Sequence, residues 1–94
     1  MNDIAEIDNM RKQIEKITLE IIRLCGERVK LSKRMGEIKA SMGIPVENKQ
    51  VEKHLRDKVL ESCRTLGLNE DFCLNILKIL LEESKRVQNN LTKL

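Results

Sequence analysis

The sequence predicts an all-α protein of three helices, of which the first is very long. Apolar residues of the first segment recur at alternating intervals of three and four, a spacing typical of a helix with a coiled-coil-like seam. Phe72 is the only aromatic residue, so the core must be built from aliphatic, Met and Cys side chains, which suits helix packing. Glycine and proline signals divide the chain into three segments, and none of them shows the two-residue alternation of a strand.

The first helix is predicted to begin near Asp3 and to end at Gly43 and Pro45. Asp3 with Glu6 is a start signal, and a glycine followed closely by a proline is a stop signal. About 40 residues of helix would be about 60 Å long, and the short remainder of the chain cannot cover an apolar stripe of that length. We therefore expect a second copy of the chain to cover it, as in a homodimer. The stripe consists of Ile7, Met10, Ile14, Ile17, Ile21, Leu24, Leu31, Met35, Ile38 and Met42.

Two shorter helices are predicted to follow. Asn48 is a good N-cap for a second helix that ends near Leu66. The break at 67–69 ends in Asn69, a second N-cap, and the third helix runs from about Glu70 to near Asn90. Their inner faces are expected to be Val51, Leu55, Val59 and Cys63 in the second helix, and Cys73, Leu77, Leu80, Ser84, Val87 and Leu91 in the third.

Composition limits the possible functions. The net charge of +3 is dispersed along the chain and aromatic residues for base stacking are lacking, so a nucleic-acid binder is not expected. Charges interrupt the first 20 residues and every later apolar run, so neither a signal peptide nor a membrane span is expected. The three cysteines are odd in number and lack metal-ligand spacing, which favours free thiols in the cytoplasm. We expect residues 1–94 to form a single domain.

The first helix carries cations where apolar side chains are expected. Arg28 interrupts the stripe, and Lys39, eleven residues on, points the same way because eleven residues make three turns plus about 20°. Ser32 and Met35 lie between them, and the two cations are about 16 Å apart along the axis. Arg11 lies about 25 Å before Arg28 and about 100° around the helix, so it could reach the same site only from an antiparallel partner helix.

The third helix repeats the anomaly, because Ser84 interrupts its apolar stripe and Gln88 borders the stripe one turn later. Buried cations and amides are costly unless they are paired. Internal carboxylates such as Glu52 could satisfy them, or the surplus of donors could bind a small polyanionic ligand.

The sequence shows no arrangement of residues typical of nucleophilic catalysis, metal binding or phosphate binding. His54 lies among charged residues and is expected at the surface, and no nucleophile–base arrangement, metal cluster or glycine-rich phosphate loop is evident. Gly26 and Gly36 are isolated within the first helix, where they favour close packing. Any reaction is therefore expected to need no nucleophile, metal or cofactor.

The pattern resembles the all-helical, AroQ-type chorismate mutases. The matching segments are "MRKQIEKI" (10–17), "ERVKLSKRMGEIK" (27–39), "IPVENKQVEKHL" (44–55) and "LLEESKRVQ" (80–88). The resemblance implies an intertwined dimer of three-helix chains with two equivalent sites. It also implies the conversion of chorismate to prephenate, a step towards phenylalanine and tyrosine.

The resemblance implies roles for individual residues as well. Arg11 would bind a substrate carboxylate from the other subunit, while Arg28 and Ser84 would bind a carboxylate within their own chain. The remaining implied contacts are Lys39 and Gln88 to the ether oxygen whose bond breaks, and Glu52 with the backbone at Asn48 to the ring hydroxyl.

Two positions depart from the family pattern. Val51 stands where family members usually carry an arginine, and Asn48 stands where they often carry an aspartate. Helical geometry directs Lys49 and Lys53 away from the site, so neither replaces the missing cation. We therefore predict weaker substrate binding than in relatives that carry the arginine.

Other functions are compatible with the same helices. The elimination of pyruvate from isochorismate also uses a cationic pocket on this scaffold. A helical dimerisation module without catalysis would explain the long stripe but not the cations, and a nucleic-acid-binding role is disfavoured by the dispersed charge.

Overall fold

The computed structural model describes residues 2–91, and these form three helices without a strand. They are α1 (Asp3–Met42), α2 (Lys49–Leu66) and α3 (Glu70–Leu91). The molecule is elongated, measuring 63 × 28 × 14 Å, because α1 is 40 residues long. The prediction of an all-α fold with a very long first helix is confirmed. None of the described helices is both long enough and apolar enough to cross a lipid bilayer.

Side-chain caps and left-handed glycines set the ends of α1 and α2. Asn48 Oδ1 accepts hydrogen bonds from the backbone N–H groups of Gln50 and Val51, both at 3.1 Å, so it caps α2 as predicted. Gly43 and Gly67 end α1 and α2 with φ values of 68° and 67°, a conformation that glycine adopts without steric cost. α1 is capped one residue earlier than its start signal suggested, by the side chain of Asn2.

Helix α3 lies at the centre of the chain. It packs against both α1 and α2, whereas the backbones of α1 and α2 do not approach each other closely within residues 2–91. Contacts between α1 and α3 advance together along both helices, from Arg28 with Ser84 to Gly36 with Gln88. These two helices are therefore parallel, and the side of α1 that faces α3 is the side that carries Arg28.

Helix α2 runs antiparallel to α3. Glu52, near the start of α2, pairs with Lys85 near the end of α3, and Cys63, near the end of α2, lies beside Cys73 near the start of α3. The first turns of α2 thus lie opposite the part of α3 that also contacts α1. All three helices meet in that region.

The core of a single chain is small. Among residues 2–91, the buried apolar side chains are Cys63, Cys73 and Leu77, with exposures of 1%, 7% and 4%. Burial, together with the neighbouring Cys73 thiol, raises the pKa of Cys63 to about 11, so this cysteine is a neutral apolar group at physiological pH. Val51, which was expected on the inner face of α2, is instead 60% exposed at the edge of a cavity.

The apolar stripe of α1 is not covered within one chain. All ten of its side chains remain between 44% and 71% exposed. The part of α1 that does pack does so through small residues, since its buried positions are Ser32 and Gly36. The expectation that a single chain cannot bury this stripe is confirmed.

The two glycines within α1 behave differently. A Cβ on Gly36 would lie 2.9 Å from Gln88 Cγ and 2.9 Å from Leu91 Cδ1, so this glycine allows α1 and α3 to approach closely, as predicted. A Cβ on Gly26 would meet nothing within 4 Å. The predicted close packing at Gly26 therefore does not occur within the described chain.

Candidate active site

A cavity of about 280 Å³ opens where the three helices meet, and we call it the three-helix pocket. Five of the seven site residues predicted from the sequence line it, and these are Arg28, Lys39, Glu52, Ser84 and Gln88. Its other lining residues are Leu31, Ser32, Met35, Val46, Val51, Leu55, Leu81 and Lys85. The pocket therefore combines polar groups from α1, α2 and α3 with apolar walls.

Neutral oxygen atoms hold Arg28 in the pocket wall. Its Nη1 donates to the carbonyl oxygen of Leu80 at 2.9 Å and to Ser84 Oγ at 2.5 Å. Ser84 Oγ also lies 2.9 Å from Oγ of the buried Ser32. The hydroxyl that accepts from the guanidinium is thus itself fixed by a second hydroxyl. Nε and Nη2 of Arg28 have no recorded partner within the described chain, so they are available to a carboxylate in the pocket.

Lys39 and Gln88 form a second donor group. Lys39 Nζ donates to the carbonyl oxygen of Val46 at 2.9 Å and to Gln88 Oε1 at 3.1 Å. An ammonium can only donate, so its contact with Gln88 assigns the amide oxygen to Lys39 and leaves the Nε2 group for another acceptor. Gln88 is only 3% exposed, yet the described residues include no fully buried side-chain nitrogen or oxygen without a partner. Nε2 is therefore not a buried donor without a partner, and Gln88 lines the cavity.

The positive charges of Arg28 and Lys39 are not neutralised by carboxylates. Neither residue has an acidic side chain within 4.0 Å among residues 2–91, and all their recorded acceptors are neutral. Glu52, which was considered as an internal partner for them, pairs with a different residue, Lys85. The explanation in which Glu52 satisfies these cations is wrong, because α2 directs Glu52 towards α3. The pocket therefore keeps two cations that no carboxylate of the described residues pairs with.

Lys85 is a site residue that sequence reasoning missed. Its Nζ lies 2.6 Å from Glu52 Oε1 and 3.4 Å from Glu47 Oε1, and it lines the three-helix pocket. The hydrogen bond to Glu52 raises the pKa of Lys85 above that of a free lysine, although burial opposes the shift. The available signal was its spacing, since Lys85 lies four residues after Leu81 and three before Gln88 and so shares their side of α3.

Val51 leaves the α2 wall of the pocket without a cation. It lines the pocket beside Glu52, whereas Lys49 and Lys53 do not, as helical geometry predicted. Asn48 is not among the lining residues either, because its side chain caps α2.

Arg11 does not reach the pocket of its own chain. Its side chain is 74% exposed and pairs with Asp8 at 3.3 Å on the same helix. As expected from its position in α1, Arg11 could enter such a pocket only from another copy of the chain.

The chemistry that the pocket offers is hydrogen-bond donation and positive charge. His54 is exposed and does not line the pocket. Within residues 2–91, no three His, Cys, Asp or Glu side chains cluster in a way that could hold a metal ion. The arrangement is suited to binding a small dianion and to stabilising negative charge that develops on it.

Comparison with known proteins shows relatives that share most of the chain. The family model for chorismate mutase type II matches residues 10–89. A chorismate mutase of Methanocaldococcus jannaschii is 33% identical over 85 residues, which cover 90% of this chain and 86% of that protein.

Two longer proteins are also similar to the chain. A bifunctional chorismate mutase/prephenate dehydratase of Aquifex aeolicus is 42% identical over 57 residues, or 61% of this chain and 16% of that protein. A T-protein of Enterobacter agglomerans is 24% identical over 87 residues, which are 93% of this chain but only 23% of the T-protein. No solved structure matches the chain.

Proposed function

Because this chain belongs to the chorismate mutase type II family, we propose that the three-helix pocket is the site at which it rearranges chorismate to prephenate. Membership of the family makes the chain an isomerase of aromatic amino acid biosynthesis. The observation that carries the proposal is the pair Arg28 and Lys39, which line one cavity and have only neutral partners. Chorismate carries two carboxylates and would supply the missing negative charge.

The reaction is unimolecular and concerted, so the protein needs no general base and no nucleophile. It can accelerate the reaction by holding the compact, reactive conformer of the substrate. Arg28 has a fixed guanidinium with free N–H groups, and together with the Ser84 hydroxyl it would anchor one carboxylate. Anchoring at a rigid point restricts the substrate to few conformations.

The second contribution is electrostatic. As the carbon–oxygen bond stretches, negative charge grows on the ether oxygen, and donors already in place stabilise it without reorganisation. Lys39 and the Nε2 group of Gln88 are such donors. Lys39 Nζ is held by the Val46 carbonyl and by Gln88 Oε1, and the second of these contacts also fixes the Gln88 amide. Glu52 would accept a hydrogen bond from the ring hydroxyl on the opposite side.

We also propose that the active form is a homodimer with two shared sites. The uncovered stripe of α1 supports this, as do exposed apolar side chains on the other helices, among them Leu66, Phe72 and Ile79. Burying these surfaces against a second copy would complete the small core. In such a dimer an α1 helix could bring Arg11 to the partner's pocket, where it would bind the second carboxylate.

Two further assignments belong to this proposal. Residues 1–94 would form one catalytic domain, supported by a family match that extends over all three helices. The protein would work in the cytoplasm, which is supported by three free cysteines.

Loss of chorismate, followed in the near ultraviolet, tests the proposal directly. We expect Arg28→Ala to lower kcat/KM about 10²- to 10³-fold, because it removes a preorganised cation from the pocket. Arg23→Ala is the matched control, since Arg23 is an exposed α1 residue paired with Glu20, and it should change kcat/KM less than about twofold.

Three outcomes would contradict the proposal. A dimerisation module would neither bind nor consume chorismate, and Arg28→Ala would leave it folded and dimeric. A pyruvate-eliminating enzyme would release pyruvate from isochorismate and form no prephenate from chorismate. An Arg28→Ala variant that is folded and as active as the wild type would remove Arg28 from the site.

A further inference from the structure

Lys85 and Glu52 form an ion pair that faces the three-helix pocket from α3 and α2. The Nζ–Oε1 distance is 2.6 Å, and the side chains are 36% and 16% exposed. Such a pair is more shielded from water than a surface ion pair, yet it is not sealed in the core. Both residues also line a neighbouring groove between α2 and α3, so the pair forms the wall between the two cavities.

The ion pair reduces the electrostatic repulsion between the pocket and an anionic substrate. Glu52 is the acidic side chain among the lining residues of the pocket, and its negative charge would repel a substrate with two carboxylates. Lys85 neutralises that charge at hydrogen-bond distance while leaving Glu52 Oε2 without a recorded protein partner. Glu52 can then accept a hydrogen bond without weakening the binding of a dianion.

Lys85 also contacts the segment before α2, which borders the pocket at Val46. Its Nζ reaches Glu47, the residue before the N-cap of α2, at 3.4 Å. From the other side, Lys39 Nζ bonds the carbonyl oxygen of Val46 at 2.9 Å. The segment before α2 is thus tied to α3 and to α1, which sets the position of the first turn of α2 and therefore of Glu52.

We infer that Lys85 is a positioning residue of this site, which holds the Glu52 carboxylate in place and neutralises its negative charge. The inference rests on the proposed function. Lys85 would offset part of the weakened binding predicted from Val51, because it removes the repulsion between the Glu52 carboxylate and a substrate with two carboxylates.

The inference is tested by removing the charge of Lys85, and the charge of Lys78 is removed as a control. Lys85→Met roughly keeps the length of the side chain but removes its charge. It should raise KM for chorismate about tenfold, while kcat changes less than about threefold. The reason is that the ion pair should affect the bound substrate and the transition state equally. Lys85→Arg should restore KM to within about threefold of the wild type. Lys78→Met is the matched control, since Lys78 lies two helical turns earlier and lines only the neighbouring groove.

Two double variants separate positioning from general structural support. Val51→Arg in the Lys85→Met background returns a cation to the pocket from α2, and KM should fall again to within about threefold of the wild type. Glu52→Gln in the same background removes the unpaired carboxylate, so KM should also fall relative to Lys85→Met alone. A residue that merely supports the fold would give additive losses and a lower unfolding temperature, with no recovery in either double variant.

The outcomes distinguish this inference from the function on which it rests. A wild type that does not convert chorismate overturns both. An active wild type with an unchanged KM in Lys85→Met overturns only the role of Lys85, and so does a raised KM that neither second substitution lowers.

Discussion

At the scale of single residues, the pocket depends on polar side chains that have neutral partners. Arg28 and Lys39 donate to carbonyl, hydroxyl and amide oxygens, which fix the two side chains and satisfy some of their N–H groups without cancelling their charge. An internal ion pair would have cancelled it. These acceptors leave the two positive charges available to an anionic substrate, as the proposed function requires.

Gln88 supports a prediction at this scale. An amide donates at every pH, so wild-type activity should be nearly flat across neutral pH. In Gln88→Glu, the ammonium of Lys39, now 3.1 Å from the amide oxygen, would stabilise the charged form of the new carboxylate. Only the protonated acid can donate to the ether oxygen, so kcat/KM of the variant should be low at neutral pH and should rise as the pH falls.

A pH series of kcat/KM for both proteins provides the measurement. A flat profile for Gln88→Glu would show that Gln88 does not donate to the ether oxygen. Circular dichroism across the same pH range would separate this effect from unfolding.

At the scale of helices, the close approach of α1 and α3 positions the donors. Gly36 lies directly against Gln88, so the two helix backbones can come near enough for Lys39 to reach the amide and for Ser32 to reach Ser84. A larger residue at position 36 would separate the helices and break both contacts.

Gly36→Ala should therefore lower both stability and activity. The added methyl group would meet Gln88 Cγ and Leu91 Cδ1 at 2.9 Å and Gln88 Cα at 3.1 Å. Overpacking of this kind costs about 1–3 kcal/mol, which outweighs the gain of up to about 1 kcal/mol in helix propensity. Denaturant unfolding at a fixed protein concentration measures the stability, and kcat/KM reports the displacement of Gln88.

Gly26→Ala is the matched control for this prediction. It makes the same change in the same helix, but the new Cβ would meet nothing within 4 Å in its own chain, so stability should rise slightly or stay unchanged. If Gly36→Ala were as stable as Gly26→Ala, the close approach at Gly36 would not matter to the fold.

At the scale of the whole molecule, one chain supplies the donors Arg28, Lys39, Ser84 and Gln88 to its own pocket, but its apolar core is small. Beyond the region that contacts α3, most of α1 extends with its apolar stripe exposed and with Arg11 far from the pocket. A second copy would cover the stripe and bring an arginine to each pocket. This arrangement makes the source of Arg11 testable.

Mixing two inactive variants provides that test. If Arg11 acts across the interface, a heterodimer of Arg11→Ala and Arg28→Ala contains one pocket with both arginines and one with neither. Random reassociation makes half of the dimers mixed, so the mixture should recover about a quarter of the wild-type activity. Activity is measured before and after unfolding and joint refolding of the two chains.

The matched control mixes Arg28→Ala with Lys39→Ala. Both side chains line the pocket of the same chain, so every pocket of the mixed dimer lacks one of them and activity should not recover. If the Arg11→Ala mixture also failed to recover, although size-exclusion chromatography showed dimers, Arg11 would not be shared between subunits.

Most of the fold follows from local sequence signals. The three-and-four spacing predicted α1, Asn48 and Asn69 predicted the starts of α2 and α3, and the glycines at 43 and 67 predicted the breaks. These features depend on residues a few positions apart, so they can be read without knowing how the helices pack.

Four polar residues of the pocket also follow from the sequence, because periodicity shows which side chains share a face of one helix. They are Arg28 and Lys39 in α1 and Ser84 and Gln88 in α3, whereas Lys85 was missed. Their partners were decided only by the tertiary structure. Glu52 pairs with Lys85, and not with Arg28 or Lys39, because the antiparallel α2 and α3 place it there. Contacts between helices depend on the rotation and axial offset of each helix, which arise from packing such as the close approach at Gly36. Periodicity along one helix carries no information about either quantity.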